Sequence, residues 1–214
     1  MLAPKVKYTL EQKTTILRAY RERISLRGLQ RVFGVWRSTV LRWLKAWVEN
    51  LPSLHETLLP VQATDVLELD ELVSFVAEKF FKRWLWLAMC RRTRQIVAYA
   101  IGDRSETTAQ KLWQAIPEAY RACPMYTDEY NVYDKLRKQG YKHKRVNHAS
   151  KVWVNGNAHT NTIEGFWSIV KRGINGVYHA VSKKYLQDYI DEYVFRYNHR
   201  LDKKPMFLTI LGKV

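Results

Sequence analysis

Three carboxylates and one ammonium, on Asp70, Asp128, Glu164 and Lys171, stand at spacings that suit metal-ion chemistry. Asp70 closes the run V-L-E-L-D, and Asp128 closes P-M-Y-T-D. Glu164 and Lys171 belong to H-T-N-T-I-E-G-F-W-S-I-V-K, residues 159–171, seven positions apart. Seven positions are two turns of a helix, so the acid and the base point the same way. Carboxylates delivered by two strand ends and a helix are the oxygen ligands that a pair of divalent ions needs, and Mg2+ or Mn2+, two ions per site, is the expected cofactor. Each residue also has a plainer reading. The aspartates could be strand-end turn residues. Asn161 and Glu164 have capping-box spacing. Lys171 could be one surface lysine among many, and Glu71 beside Asp70 reads as a solvated neighbour or as a residue supporting the ligands from behind. The set as a whole carries the expectation.

Positioning those groups takes strands. V-L-E-L-D and L-V-S-F-V-A-E, separated by Glu71, are followed by K-R-W-L-W-L-A-M-C and R-Q-I-V-A-Y-A-I-G, with R-R-T-R as a turn. This predicts a three-stranded antiparallel meander. Ser105 or Thr107 then caps a helix through T-A-Q-K-L-W-Q-A-I-P-E-A-Y-R-A, in which Pro117 predicts a kink or a split. The strand P-M-Y-T-D, a helix N-V-Y-D-K-L-R-K-Q ended by Gly140, and a strand near 142–146 follow, before the Glu164 helix. A last helix is expected over 182–199, its stripe of Leu186, Tyr189, Ile190, Tyr193, Val194 and Tyr197 read as core. Trp153 and Trp167 read as core as well.

Ahead of this lies a helical stretch, Tyr8 to Asn50. Thr9 predicts a cap for a helix containing Ile16, Leu17 and Tyr20; a second helix fits Ser25 to Val32, with Leu26, Leu29, Val32 and Phe33 apolar, and Gly34 breaks it. A third fits Arg37 to Val48, with Val40, Leu41, Leu44 and Trp47 or Val48 inward. Two short helices joined by F-G-V form a helix-turn-helix pattern that resembles the DNA-binding heads of many transposases and repressors. Trp36, Arg37, Ser38, Thr39, Arg42 and Lys45 are then the groove-facing residues, on a head dense in arginine. Residues 51–64, with two prolines and no period, read as a linker, and His55 as an exposed loop residue. The expected division is 1–50, 51–64 and 65–214.

Composition agrees with a nucleic-acid partner. The 214 residues carry 36 Lys and Arg against 20 Asp and Glu, a formal net charge of +16, which favours a polyanion. Apolar residues at 47% allow a packed core and argue against wholesale disorder. Cys90 and Cys123, the two cysteines, make neither a metal-ligand spacing nor a disulfide framework. No apolar window approaches a membrane span and the first residues have no signal-peptide core, so no membrane partner and a cytosolic setting are expected.

The order of elements is that of the RNase H-like fold, where the first and fourth strands lie side by side. Asp70 and Asp128 would then be neighbours although 58 positions apart, and 35 residues separate Asp128 from Glu164. This pattern resembles the DDE transposase and retroviral integrase superfamily. L-E-L-D-E-L, W-L-W-L-A, G-D-R-S with A-Q-K-L-W, and Y-T-D are similar to the IS-one type of small insertion-sequence transposase. H-T-N-T-I-E-G-F-W-S-I-V-K-R-G-I-N-G-V-Y-H-A-V-S-K-K with F-R-Y-N-H-R is similar to the Xanthomonas-type relatives, and the likeness covers about residues 8 to 200. It implies an α/β RNase H-like catalytic domain, a mixed five-stranded sheet with flanking helices, preceded by an all-α helix-turn-helix domain. It implies a bacterial nucleoid-associated enzyme that binds insertion-sequence ends and joins them to target DNA, as at least a homodimer. Asp70 would be shared by both metal ions, with Asp128 on one and Glu164 on the other. Lys171 matches the basic residue that the family often carries there; Lys171, Arg172, Lys144 and Arg145 would hold DNA backbone, with His159 as an accessory. Two departures stand out: the chain lacks the Cys-rich zinc module common in relatives, and some relatives have Asn as the third ligand, which makes Asn161 the alternative to Glu164. The rival reading is a catalytically idle or domesticated helix-turn-helix DNA-binding protein.

Overall fold

The structure is a computed structural model and describes residues 8–22, 24–74, 83–127, 131–135, 141–145, 161–173 and 185–202. Five strands form one mixed sheet: β1 (Leu67–Ser74), β2 (Arg83–Cys90), β3 (Ile96–Gly102), β4 (Met125–Thr127) and β5 (His143–Arg145), in the order β3-β2-β1-β4-β5. The antiparallel meander β1-β2-β3 is present, and β1 pairs with β4 in parallel, as expected for the first and fourth strands. One expectation fails. Asp70 does not end a strand, because β1 continues through Glu71 to Ser74 as a single element, paired with β2 as far as Arg83. The acidic pair interrupts the apolar pattern without interrupting the backbone ladder, since strand pairing uses main-chain groups that Glu71 supplies as well as any residue.

Side chains of β2 are buried on both faces, as befits a strand inside the sheet. Leu67, Leu69, Trp86, Ala88, Ala98 and Ala100 face the helix α4 (Glu106–Ala115), with its Leu112 and Trp113. Leu85, Leu87, Met89 and Ile96 face α6 (Asn161–Arg172) and α7 (Leu186–Asn198), which contribute Ile163, Phe166, Trp167, Val170, Leu186 and Ile190. Pro117 splits the expected long helix: α4 ends at Ala115 and a single turn, α5 (Glu118–Arg121), follows. The expected helix after β4 is described only as a 3-10 turn at Asn131–Tyr133 and the start of a helical turn at 134–135.

The head consists of α1 (Leu10–Arg21), α2 (Leu26–Phe33) and α3 (Arg37–Glu49). Thr9 and Gln12 close a capping box on α1, and Ser25 accepts from Gly28 N to start α2. Gly34 ends α2 in the left-handed region, φ 65°, where glycine carries no Cβ penalty. Ile16, Leu17, Tyr20, Leu29, Val35, Val40, Trp43, Leu44 and Trp47 form its core. Val32, one of the apolar residues of α2, is 66% exposed, so the inward face of α2 is narrower than its apolar residues suggest.

The head is not tethered loosely. Phe195 of α7 completes its core, edge-on to Trp47 at 5.8 Å. Tyr20 donates to the buried carboxylate of Glu192 on α7 at 2.9 Å. Residues 51–64, expected as a plain linker, are pinned to the sheet domain: Leu59 N donates to Gln95 Oε1, Gln95 Nε2 to Thr57 O, and Tyr120 OH to Leu59 O. His55 is exposed, and its Nε2 donates to Ala115 O at 3.0 Å. Among the described residues no helix is long and apolar enough to cross a membrane.

Candidate active site

β1 alternates its side chains between the two faces of the sheet, so Glu68 and Asp70 share the face of Leu72, which packs with α6 and α7. Glu71 faces the other way. Three acidic residues in four positions of a central strand would be costly without partners. Each has them.

Asp70 lies half-buried on the α6 side. Its Oδ2 accepts from Trp167 Nε1 at 2.8 Å and its Oδ1 from Glu71 N at 2.8 Å. The parallel pairing of β1 and β4 reaches Leu69↔Thr127, so the residue before Asp70 is opposite the residue before Asp128 in sequence. Asp128 itself lies outside the described residues, as do His159 and Trp153.

Glu164 is exposed in the first turn of α6, and Lys171 and Arg172 are exposed in its last. Residues three or four apart on a helix share a face. Glu164, Trp167 and Lys171 therefore form one stripe, whose middle member touches Asp70. The helix starts at Asn161, whose side chain lies outside the described set. Two amides of the first turn are held from the sheet: Thr162 N and Ile163 N both donate to Glu68 Oε2 at 3.1 Å. Glu68 is fully buried, and its other oxygen accepts from Arg91 Nε at 2.7 Å. A carboxylate suits this place because the helix start carries partial positive charge.

Of the two readings of Glu71, a solvated neighbour or a residue supporting the ligands from behind, the solvated one fails. Glu71 is buried, its Oε1 accepts from Arg104 Nη2 at 2.7 Å, and its Oε2 accepts from Tyr133 OH at 2.8 Å. Tyr133 stands five positions after Asp128, so the segment that follows Asp128 is tied to β1 through the far side of the sheet. Trp167 is core, as expected, but its indole N–H is spent on Asp70. Glu68, Trp167, Arg91, Arg104 and Tyr133 were missed as site residues. The signal for Glu68 was available: strand alternation puts it beside Asp70, and a glutamate between two inward leucines calls for a partner.

Among the described residues no three His, Cys, Asp or Glu side chains gather closely enough to hold a metal ion. Asp70 and Glu164 supply oxygen donors alone, and the hydrogen bonds to Asp70 are the kind that orient ligating carboxylates. On the head, Trp36 is 66% exposed at the start of α3, Arg37, Ser38, Arg42 and Lys45 are exposed, and Thr39 is half-buried. Lys144 is exposed on the edge strand β5; the Arg145 side chain lies outside the described set.

Over 47 residues the chain is 40% identical to insertion element iso-IS1n protein InsB of Shigella dysenteriae, a stretch that is 22% of this chain and 36% of that protein. The chain thus matches about a third of the length of this curated relative. Among solved structures it is similar to the HTLV-2 integrase catalytic core domain in complex with magnesium, with a TM-score of 0.37 and 16% identity over 65% of this chain and 87% of that one. It is also similar to the protein of the Mos1 strand transfer complex, with a TM-score of 0.36 and 11% identity over 99% and 79%. The model of the ISXO2-like transposase domain matches residues 76–198, more than half of the chain, and this chain belongs to that transposase family.

Proposed function

We propose that this chain binds the ends of an insertion sequence and catalyses metal-dependent cleavage of DNA strands and their transfer into target DNA. The observation that carries the reading is the hydrogen bond from Trp167 to Asp70, which joins β1 to the helix of Glu164 in a transposase-family chain. Asp70, Asp128 and Glu164 would hold Mg2+ or Mn2+. Such ions, when bound in a pair, activate a water or 3′-hydroxyl and neutralise charge on the phosphorus oxygens.

The remaining work falls to the chain. Lys171, two turns from Glu164 on the same stripe, holds a phosphate next to the scissile bond. Arg172, Lys144 and Arg145 hold backbone beyond it. These contacts position the DNA without reading its sequence. Sequence reading belongs to the head, residues 1–50, where α3 offers Trp36, Arg37, Ser38, Thr39, Arg42 and Lys45 to a groove. Residues 65–214 are the catalytic domain, and the active form on DNA is at least a dimer. No covalent intermediate with the protein is needed.

Glu164 is the third ligand in preference to Asn161, because a charged carboxylate neutralises a divalent ion better than an amide oxygen. The placement of Asn161 as the first residue of α6, with the next two amides held by Glu68, supports the same choice.

The test is single-turnover cleavage and joining of labelled end DNA in Mg2+ or Mn2+. Asp70→Asn, Asp128→Asn and Glu164→Gln should abolish both reactions while end binding stays near wild type. Asn161→Ala should keep most of the activity. Full activity in Asp128→Asn would refute the ligand assignment. A wild-type chain that binds ends tightly and never cuts them would favour the idle DNA-binding protein.

A further inference from the structure

The helix carrying Glu164 is attached to β1 at two points, and both end on acidic residues two positions apart. Buried Glu68 takes the amides of Thr162 and Ile163 at 3.1 Å each, and Arg91 Nε at 2.7 Å compensates its charge. Trp167 Nε1 donates to Asp70 Oδ2 at 2.8 Å. The first bond set holds the opening turn of α6; the second holds its middle. Two anchors on a rigid rod fix both its position along the strand and its rotation about its own axis. Glu164 lies between the anchors, so its backbone has no independent freedom.

The chemistry of each anchor is directional. A carboxylate across the first amides of a helix is favoured by their partial positive charge. An indole has a single donor and no acceptor, so it selects one orientation of the carboxylate it meets. Packing alone would need neither: Phe at 167 would fill most of the same buried space without aiming Asp70.

Building on the reading of Asp70 and Glu164 as metal ligands, we infer that Glu68 and Trp167 are positioning residues. They set the distance between the two ligand-bearing elements and orient the Asp70 carboxylate before the metal arrives. Neither touches DNA or the reacting atoms.

The test uses the full chain with Trp167→Phe and Glu68→Gln. Cleavage of end DNA is followed across a Mg2+ titration, end binding is measured in EDTA, and 19F spectra are taken of protein labelled with 5-fluorotryptophan. The Trp167 line is the one absent from Trp167→Phe. Partners that orient metal ligands change metal affinity or activity by roughly 10–100-fold when lost. The Mg2+ concentration for half-maximal cleavage should therefore rise by about that factor in both variants, with end binding in EDTA unchanged. The Trp167 line should move on Mg2+ saturation in the otherwise wild-type chain and stay still in Asp70→Asn. Cleavage by Trp167→Phe that matches wild type at every Mg2+ concentration, alongside an inactive Asp70→Asn, would overturn the proposal and leave the ligand reading standing. An active Asp70→Asn would overturn the ligand reading and this proposal with it. Should Glu68→Gln fail to fold, Trp167→Phe and the 19F shift decide the matter alone.

Discussion

Tyr20→Phe should uncouple the head from the sheet domain in a pH-dependent way. Tyr20 OH donates to Glu192 Oε2 at 2.9 Å, across 172 positions of sequence, and Arg196 Nη1 donates to the other oxygen at 3.0 Å. Glu192 is 4% exposed, so the figure for a hydrogen bond to a buried charged group applies, about 1.5–3 kcal/mol, and not the smaller figure for a surface pair. Burial raises the pKa of Glu192 above the ordinary glutamate value, and Arg196 and Tyr20 pull it back. A raised folded-state pKa means that the contribution of this group is fully present below the unfolded pKa and is lost as pH rises through the folded one. The Tyr20 hydroxyl limits that loss by stabilising the ionised form. Its removal therefore costs most where Glu192 is charged, and shrinks toward about 1 kcal/mol or less where the carboxyl is protonated. Urea unfolding at two pH values on either side of the transition, for Tyr20→Phe, Glu192→Gln and the double variant, measures the coupling directly. A coupling of about 1 kcal/mol or more that grows with pH is expected. Coupling within about 0.3 kcal/mol of zero at both pH values would refute the reasoning.

Three other outcomes are expected. Arg42→Ala, on the exposed face of α3, should weaken binding to insertion ends, and the slope of log affinity against log salt should become shallower by about one; equal affinity of the wild-type chain for end and random DNA at physiological salt would contradict the head's role as reader. Tyr133→Phe leaves Glu71 with one donor fewer in a buried setting and should lower stability by about 1–2 kcal/mol, a fall in Tm of roughly 3–6 °C for a chain of this size, read by calorimetry. Burial pushes Asp191 up to about 6, so its contribution is present below the ordinary aspartate range and is lost as pH rises through about 6. Asp191→Asn should accordingly gain on wild type across that window, by about 1–2 kcal/mol after allowing for its solvent-facing side, and parallel stability curves from pH 4 to 7 would count against this.

Much of the fold could be read directly because it rests on local rules. Thr9, Ser25 and Gly34 announce where α1 and α2 start and stop, since capping and left-handed backbone are decided within a few residues. The runs W-L-W-L-A-M-C and I-V-A-Y-A-I-G announce strands by their unbroken apolar character, and the first of them is an inner strand of the sheet. Pro117 announces the break between α4 and α5, because proline removes the amide that the next turn needs. The stripe of Glu164 and Lys171 follows from the helical period alone.

Tertiary structure decided what the acidic residues of β1 do. In sequence, Glu68, Asp70 and Glu71 are three carboxylates in L-E-L-D-E-L with nothing to tell them apart but parity. Their roles come from partners 23 to 97 positions away: Arg91 and the amides of α6 for Glu68, Trp167 for Asp70, Arg104 and Tyr133 for Glu71. The same holds for the head, whose core is completed by Phe195 and whose Tyr20 finds its acceptor on α7. A buried charge is tolerated only where the whole fold brings it a partner. Local spacing does not encode which partner arrives, so these identities emerge from the assembled sheet and helices alone.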